Sequence, residues 1–325
     1  MGNTLKEINT VVKDELKEFD AVFREILTSN VFLIDTVAKY IVRNKGKGLR
    51  PLLVILSAKL VGTPVRETYV VASIIELLHT ASLVHDDVID NANMRRGFPS
   101  INAIWKNKIA ILMGDYMLSK CLIGATMTGS LEVMQKLAIA SKRLSKGELM
   151  QIEKARRLNV SEKDYFEIIA NKTAALIGTA SELGAITVSD NKQDHENLKN
   201  FGENLGIAFQ IKDDLLDYYG HQKILGKPVG NDFKDKKITL PLIHSFKHAS
   251  SKEISKIKRL LKKGVSQKDV DYIIRFVEEY EGIRYSEQKI SEYAQKAKDF
   301  IAAYPDTEIK EGLYKFVDFT INRSN

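Results

Sequence analysis

Two matched triplets of aspartate are the residues of this chain best placed to do chemistry. Asp86, Asp87 and Asp90 close an apolar stretch, and Asp213, Asp214 and Asp217 repeat the same DDxxD spacing. In a helix, the first and third members of each triplet share one face, about 5.4 Å apart along the axis. Like charges so placed destabilise a helix unless a cation neutralises them. Mg²⁺ suits the task, because it takes one or two carboxylates and leaves its other positions to water and phosphate. Arg95 and Arg96 follow the first triplet, and guanidinium groups are bidentate phosphate donors. Metal ligands beside arginines point to a diphosphate. A single DDxxD is a weak signal, since acidic triplets are common on solvated helix faces. Here each follows apolar residues, Leu83 and Val84 in one case and Ile207, Ala208, Phe209 and Ile211 in the other. Unpaired charge on such buried faces is costly, so a surface role fits both poorly.

Further candidates surround the triplets. His79, Ser82, Asp86 and Asp90 stand at i, i+3, i+7 and i+11, which places them on one helical face. A histidine in line with metal ligands is a phosphate-ligand candidate, although a lone one is more often a core residue. Lys47 and Arg50 flank a helix start at Pro51, where free N–H groups and the dipole already favour anions. The bland alternative is a basic loop. Lys172 and Thr173 sit among Ile168, Ile169, Ala174, Ala175, Leu176 and Ile177. A lysine there either snorkels or faces an internal anion. Residues 220–237 form a long polar segment holding Gly226, Lys227, Gly230, Asp232 and Lys237, a lid candidate by its length.

Composition narrows the class. A chain of 325 residues, 44% of them hydrophobic, can bury a large core as one helical bundle. The net charge of +7 comes partly from Lys-rich stretches such as residues 251–263. There Ile254, Ile257, Leu260 and Leu261 form an apolar stripe, so the lysines read as a solvated helix face. Nucleic-acid binding is not expected, because aromatic interleaving and nucleic-acid motifs are absent. The lone cysteine, Cys121, excludes an intramolecular disulfide and suits a reducing cytoplasm. The first residues carry no signal-peptide apolar core, and Lys6 departs from the myristoylation pattern. No run of about 18 uncharged apolar residues is evident, so no membrane span is expected. A cytoplasmic protein follows, with at most peripheral membrane contact for product release.

The elements that must position these residues are helices. Six prolines leave long apolar-periodic segments uninterrupted, and strand signals are scarce. Periodicity predicts helices over residues 5–27, 31–42, 51–60 and from about 65 into the first triplet. Residues 91–102 read as a loop. Further helices are predicted over 108–127, 131–155, 162–188 and 197–218, then from 240 onward with breaks near Gly264 and at Tyr304-Pro305.

Across residues 45–242 the chain resembles the trans-isoprenyl diphosphate synthase, or polyprenyl synthetase, family. Gly46-Lys47-Gly48-Leu49-Arg50-Pro51 is similar to its GGKRxRP box. Residues 79–97 resemble its first Asp-rich region, paired arginines included. Lys172-Thr173, the run from Phe209-Gln210 to Asp217, and the run from Gly226-Lys227 to Pro241 resemble its later boxes. Gly48 departs from the pattern, standing where the family usually has arginine. This removes one cation from the isopentenyl diphosphate box.

The resemblance implies an all-α fold, a large antiparallel helical bundle around a central cavity, with residues 1–325 as one domain and a homodimer as the usual assembly. It also implies a head-to-tail condensation of isopentenyl diphosphate with an allylic diphosphate (geranyl, farnesyl or geranylgeranyl). Asp86, Asp87, Asp90, Asp213, Asp214 and Asp217 would hold about three Mg²⁺ on the allylic diphosphate. Arg95, Lys172, Lys227 and Lys237 would add positive charge there. Metals and cations would stabilise the departing diphosphate as its C–O bond ionises. Oxygens of Thr173 and Gln210 would stabilise the allylic cation by dipole. Lys47, Arg50, His79 and Arg96 would hold isopentenyl diphosphate, and the released diphosphate would take the proton. Ala81 and Ser82 stand where family members with short products carry bulky aromatics. Their small size implies a medium- or long-chain product, beyond geranylgeranyl, of the kind used for quinone side chains. A shorter-chain synthase is the alternative. A class I terpene cyclase normally carries an Asn/Ser/Glu triad in place of the second DDxxD. An HD-type phosphohydrolase, prompted by His85-Asp86, needs more His ligands than six histidines supply. A non-catalytic synthase subunit typically loses the Asp-rich motifs.

Overall fold

Helix after helix builds the protein, as the proline-poor, 3.6-periodic sequence requires. The computed structural model describes residues 2–44, 46–219 and 231–323. Helices α1 (Gly2–Val11), α2 (Lys13–Leu27) and α3 (Phe32–Arg43) lead to α4 (Leu49–Val61) and α5 (Arg66–Ile89). A small antiparallel hairpin follows, β1 (Met94–Arg95) and β2 (Phe98–Pro99). Then come α6 (Ile101–Met127), α7 (Leu131–Arg157), α8 (Glu162–Ile169), a π-helical turn (Ala170–Ala174) and α9 (Ala175–Ile186). Helix α10 (Lys192–Tyr219) carries the second triplet, and α11 (Asn231–Lys234) lies beyond it. The chain ends in α12 (Leu240–His248), α13 (Ser251–Lys263), α14 (Gln267–Glu279), α15 (Gly282–Phe300) and α16 (Glu308–Asn322). The all-α expectation holds.

Local chemistry explains where the structure departs from the periodicity. The 5–27 segment divides at Val12, which leaves the helical region at ψ 28°. The last third breaks twice more than foreseen. One break falls at Ser250, whose side chain caps α13 in a reciprocal box with Glu253. The other falls at Glu281, in the left-handed region at φ 54°. The 91–102 loop holds the hairpin, whose turn puts both Arg96 (φ 53°) and Gly97 (φ 81°) at positive φ. Two-residue hairpins of the primed type require this. It costs Gly97 nothing, whereas Arg96 holds a conformation that side-chain-bearing residues rarely adopt.

Two apolar clusters meet along α10. One gathers α2, α4, α5, α6 and α9, and includes Leu52, Ile55, Ile74, Leu77 and Phe201. The other gathers α8 and α12 to α14 around Ile211, Leu215, Tyr218 and Phe233. Cys121 is buried and unpaired, and burial pushes its thiol up to about 12. No run of about 18 uncharged apolar residues occurs, but by length and composition alone helices α5 and α6 are both long and apolar enough to cross a membrane. Helix α5 is 61% buried over that window and serves as the core helix. Helix α6 is only 39% buried there, and it exposes Ile104, Ile111, Leu122, Ile123 and Met127.

Candidate active site

The first triplet caps the C-terminal end of α5, and its members diverge. Consecutive helical residues point about 100° apart, and the structure uses that separation. Asp87 turns inward, 4% exposed, where Arg95 donates from Nε at 2.9 Å and from Nη2 to its Oδ1. Asp86 lies half-buried, and Asp90 is exposed as the helix C-cap. Burial, then the negative charges of Glu148 and Asp90, push the Asp86 carboxyl up to about 6, against the pull of Lys172 and Arg95. Lys172 pairs with Glu148 at 2.5 Å and donates to Gln151 at 3.3 Å. The structure therefore brings Asp86, Asp90, Arg95 and Lys172 into one electrostatic neighbourhood, and sets Asp87 behind it as the anchor of Arg95.

Lys172 and Thr173 owe their placement to the π-helical turn, where the amide of Ala175 reaches back to Ala170. Such single wide turns recur at functional sites. Glycines let it pack closely. A Cβ on Gly147 would fall 2.6 Å from the Lys172 nitrogen, and one on Gly206 2.5 Å from Ala174 Cα. Thr173 donates to the carbonyl oxygen of Gln210 at 2.6 Å. The Gln210 amide then donates to Asp214 at 2.8 Å.

The second triplet diverges in the same way. Asp214 is buried and also accepts from the Tyr165 hydroxyl at 2.7 Å. Burial, then the charge of Asp232, push its carboxyl up to about 8. Asp213 accepts from Arg323 at 3.0 Å. Asp217 accepts from the Asp232 backbone amide at 3.0 Å. Lys237 lies 3.6 Å from Asp232 and 3.3 Å from Asp235. Burial alone would lower the pKa of Lys237, but Asp232, Asp235 and Asp90 outweigh it and raise it above the ordinary lysine value. Lys237 thus feels both clusters, Asp90 from one and Asp232 from beside the other.

A second group of cations forms at the start of α4. Arg50 is half-buried, and its Nε is buried without a hydrogen-bond partner among the described residues. Burial lowers its pKa to about 10, with Glu76 opposing the fall and Arg96 adding to it. His79 is held well below the usual histidine range by burial and by the charges of Arg50, Arg96 and Arg95. It is therefore neutral at pH 7. Arg96 lies flat on the backbone of Gly46, where a Cβ would come 2.6 Å from its guanidinium carbon. Lys47 Nζ stands 5.3 Å from the Phe319 ring centroid. Gly48, the departure from the family box, caps α4 at φ 64° with open space around it. An arginine there would be strained.

Ser82 is half-buried on the Asp86 face and donates to the His79 carbonyl at 2.8 Å. Ala81 is fully buried in the core. Lys227 and most of the 220–237 segment lie outside the described residues. Glu148, Tyr165, Asp232 and Arg323 also join the site, though the sequence assigns them no role. Asp232 alone had a signal, lying in the polar segment with Lys237.

The donor set suits a hard divalent cation. Burial and neighbouring carboxylates push the carboxyls of Asp86, Asp214 and Asp232 toward the neutral form. Uncompensated negative charge of this kind is what a cation relieves. Among the described residues no three His, Cys, Asp or Glu side chains close a metal cage by themselves. An ion here would share its shell with water or phosphate, as Mg²⁺ prefers.

Comparison with known proteins agrees with this geometry. Residues 32–277 match the family described as polyprenyl synthetase. The chain is 32% identical over 321 residues to the octaprenyl diphosphate synthase of Haemophilus influenzae, covering 99% of this chain and 98% of that one. The crystal structure of a decaprenyl diphosphate synthase from Rhodobacter capsulatus superposes with a TM-score of 0.94 at 32% identity, covering 99% of each chain. That of a polyprenyl synthase from Caulobacter crescentus CB15, complexed with calcium and isoprenyl diphosphate, gives 0.92 at 30% identity, over 99% of this chain and 98% of that one.

Proposed function

The chain belongs to the polyprenyl synthetase family, and on that premise we propose that it condenses isopentenyl diphosphate head-to-tail with an allylic diphosphate. The product is an all-trans polyprenyl diphosphate longer than geranylgeranyl, a precursor of quinone side chains. The observation that carries this reading is the pairing of two different sites. One is a carboxylate cluster with Lys237 beside it, 3.6 Å from Asp232 and within the field of Asp90. The other is a cationic pocket of Arg50, His79 and Arg96. A two-diphosphate reaction needs both.

Asp86, Asp90 and Asp213 would hold Mg²⁺, about three ions with the allylic diphosphate bound. When bound, the metal supplies Lewis-acid stabilisation to the leaving diphosphate. Arg95, fixed by Asp87, and Lys172, fixed by Glu148, meet the negative charge that grows as the C–O bond breaks. Lys237 and Lys227 serve the same diphosphate. Arg50 Nε, buried without a partner, is a donor for the second diphosphate, joined by Arg96 and Lys47. Neutral His79 donates a hydrogen bond there without adding charge. The Thr173 hydroxyl donates to the Gln210 side-chain oxygen, and its own oxygen would offer a dipole to the cation. Both groups are held in place by hydrogen bonds. The departing diphosphate takes the proton.

Length is set along α5. A chain fixed by its diphosphate near Asp86 grows past Ser82, whose small side chain leaves the route open. The octaprenyl and decaprenyl synthases among the relatives support a long product. The exposed apolar face of α6 supports a homodimer. The test incubates the protein with Mg²⁺, isopentenyl diphosphate and farnesyl or geranylgeranyl diphosphate, and chromatographs the products. Long all-trans chains that appear only with isopentenyl diphosphate support the reading. A cyclic hydrocarbon formed without it would mark a terpene cyclase.

A further inference from the structure

Arg323 comes from the far end of the chain to sit on the second triplet. Its Nη2 lies 3.0 Å from Asp213 Oδ1 and donates to the Phe209 carbonyl at 2.9 Å. Its guanidinium carbon stacks 3.7 Å from the Phe209 ring centroid. The side chain is 11% exposed, whereas that of Asp213 is 49% exposed. Its Nε is buried without a partner among the described residues. A surface arginine is rarely held on so many sides. Here the end of α16 is clamped to α10 through the one carboxylate of the triplet that neither Tyr165 nor Asp232 engages.

That carboxylate cannot serve two cations equally. A divalent ion bonds carboxylate oxygen at about 2.0–2.1 Å. On Oδ1 it would therefore stand within about 5 Å of the Arg323 nitrogen, where like charges repel strongly in a partly buried site. Among the described residues Asp213 is the carboxylate that pairs with Arg323. Asp214 is already occupied by Tyr165 and Gln210. Lys47, against α16 at Phe319, is itself a cation.

We propose that Arg323 is a positioning residue for the second cluster, a tethered counter-ion that holds Asp213 in the metal-free protein and is exchanged for metal. Metal binding at Asp213 and release of the last turn of α16 are then one linked event. Each opposes the other by the same factor. The inference rests on the reading of Asp213 as a metal ligand.

The test uses the full chain with Mn²⁺ and inorganic diphosphate, and follows free Mn²⁺ by electron paramagnetic resonance. Arg323→Gln is expected to tighten Mn²⁺ binding about tenfold, the scale of one charge-assisted bond removed from the competing state. Arg323→Lys should fall between it and the wild type. Hydrogen exchange over residues 316–323 should speed up in the wild type when Mn²⁺ is added. In Arg323→Gln it should be fast already and indifferent to Mn²⁺. Unchanged or weaker Mn²⁺ binding in Arg323→Gln would overturn the proposal, as would wild-type exchange that ignores Mn²⁺. Asp213→Asn separates the two ideas. If it leaves Mn²⁺ binding intact, the ligand assignment itself fails. If it weakens binding while Arg323→Gln does nothing, only the exchange fails.

Discussion

Asp86 and Asp213 are the outward-turned first members of their triplets, while Asp87 and Asp214 are held inside by Arg95 and Tyr165. Removing Asp86 and removing Asp87 should therefore differ in kind. Asp86→Ala should fold normally and lose about a thousandfold or more in turnover, several kcal/mol of transition-state stabilisation. Asp213→Ala should lose as much turnover, and it also leaves Arg323, 11% exposed, without its ion pair. Asp87→Ala removes the buried partner of Arg95, itself 39% exposed, and should also destabilise the fold by about 1.5–3 kcal/mol, the scale of hydrogen bonds to a charged group. Equal melting temperatures in Asp86→Ala and Asp87→Ala would refute the distinction. The diphosphate sites separate in the same manner. Arg50→Ala should raise KM for isopentenyl diphosphate more than for the allylic substrate, and Lys172→Ala the reverse. His79 gives a pH signature. Its folded pKa lies well below 6.5, so below about pH 6.5 unfolding takes up a proton that the native state refuses. Stability is then full above that pH and falls as the pH drops, by up to about 1.4 kcal/mol per unit. Urea unfolding between pH 5 and 7 should show that slope reduced in His79→Gln.

At the scale of elements, α5 joins the metal face to the growing product. Ser82→Phe places a ring on the half-buried Asp86 face and should shorten the product to farnesyl or geranylgeranyl, with the first condensation largely intact. Ala81 is fully buried, so Ala81→Phe overpacks the core and should cost about 1–3 kcal/mol of stability. Chromatography of the products with a melting curve for each variant decides between an open route and a packed one. The triplets, the Lys47–Arg50 box and the helix carrying His79 were legible in the sequence because each is a pattern within one or two turns. Helix geometry even contained the inward turn of Asp87 and Asp214, since neighbours in a helix diverge by about 100°. Glu148, Tyr165 and Arg323 were not legible. Each acts on a residue on another helix, Arg323 on Asp213 from 110 positions away, and no local period encodes such a pairing. The hairpin was missed for a different reason. Its strands are two residues each, too short for alternation to register.

For the whole molecule, the apolar face of α6 is the feature that composition hides. Average hydrophobicity is ordinary, yet Ile111, Leu122, Ile123 and Met127 are left facing outward on one long helix. A second copy of the chain covering this face should make the protein sediment as a dimer. Leu122→Lys together with Ile123→Glu should shift it toward the monomer. Sedimentation equilibrium that gives one chain for the wild type would refute that assembly.

The π-helical turn has a consequence for phase. A turn with i→i+5 bonding accommodates one residue more than a regular α-turn, so residues 162–186 are two helices wound out of step by roughly one position. Before the turn, Tyr165 faces the second aspartate triplet. After it has begun, Lys172 pairs with Glu148, and its charge reaches Asp86 of the first. In a continuous helix these two, seven apart, would fall nearly in line, and one rod would have to serve both clusters with the same stripe. The extra residue turns a single rod into a two-sided bracket. Deleting Ala170 should restore regular winding, keep helix content by circular dichroism, and take one of the two contacts away.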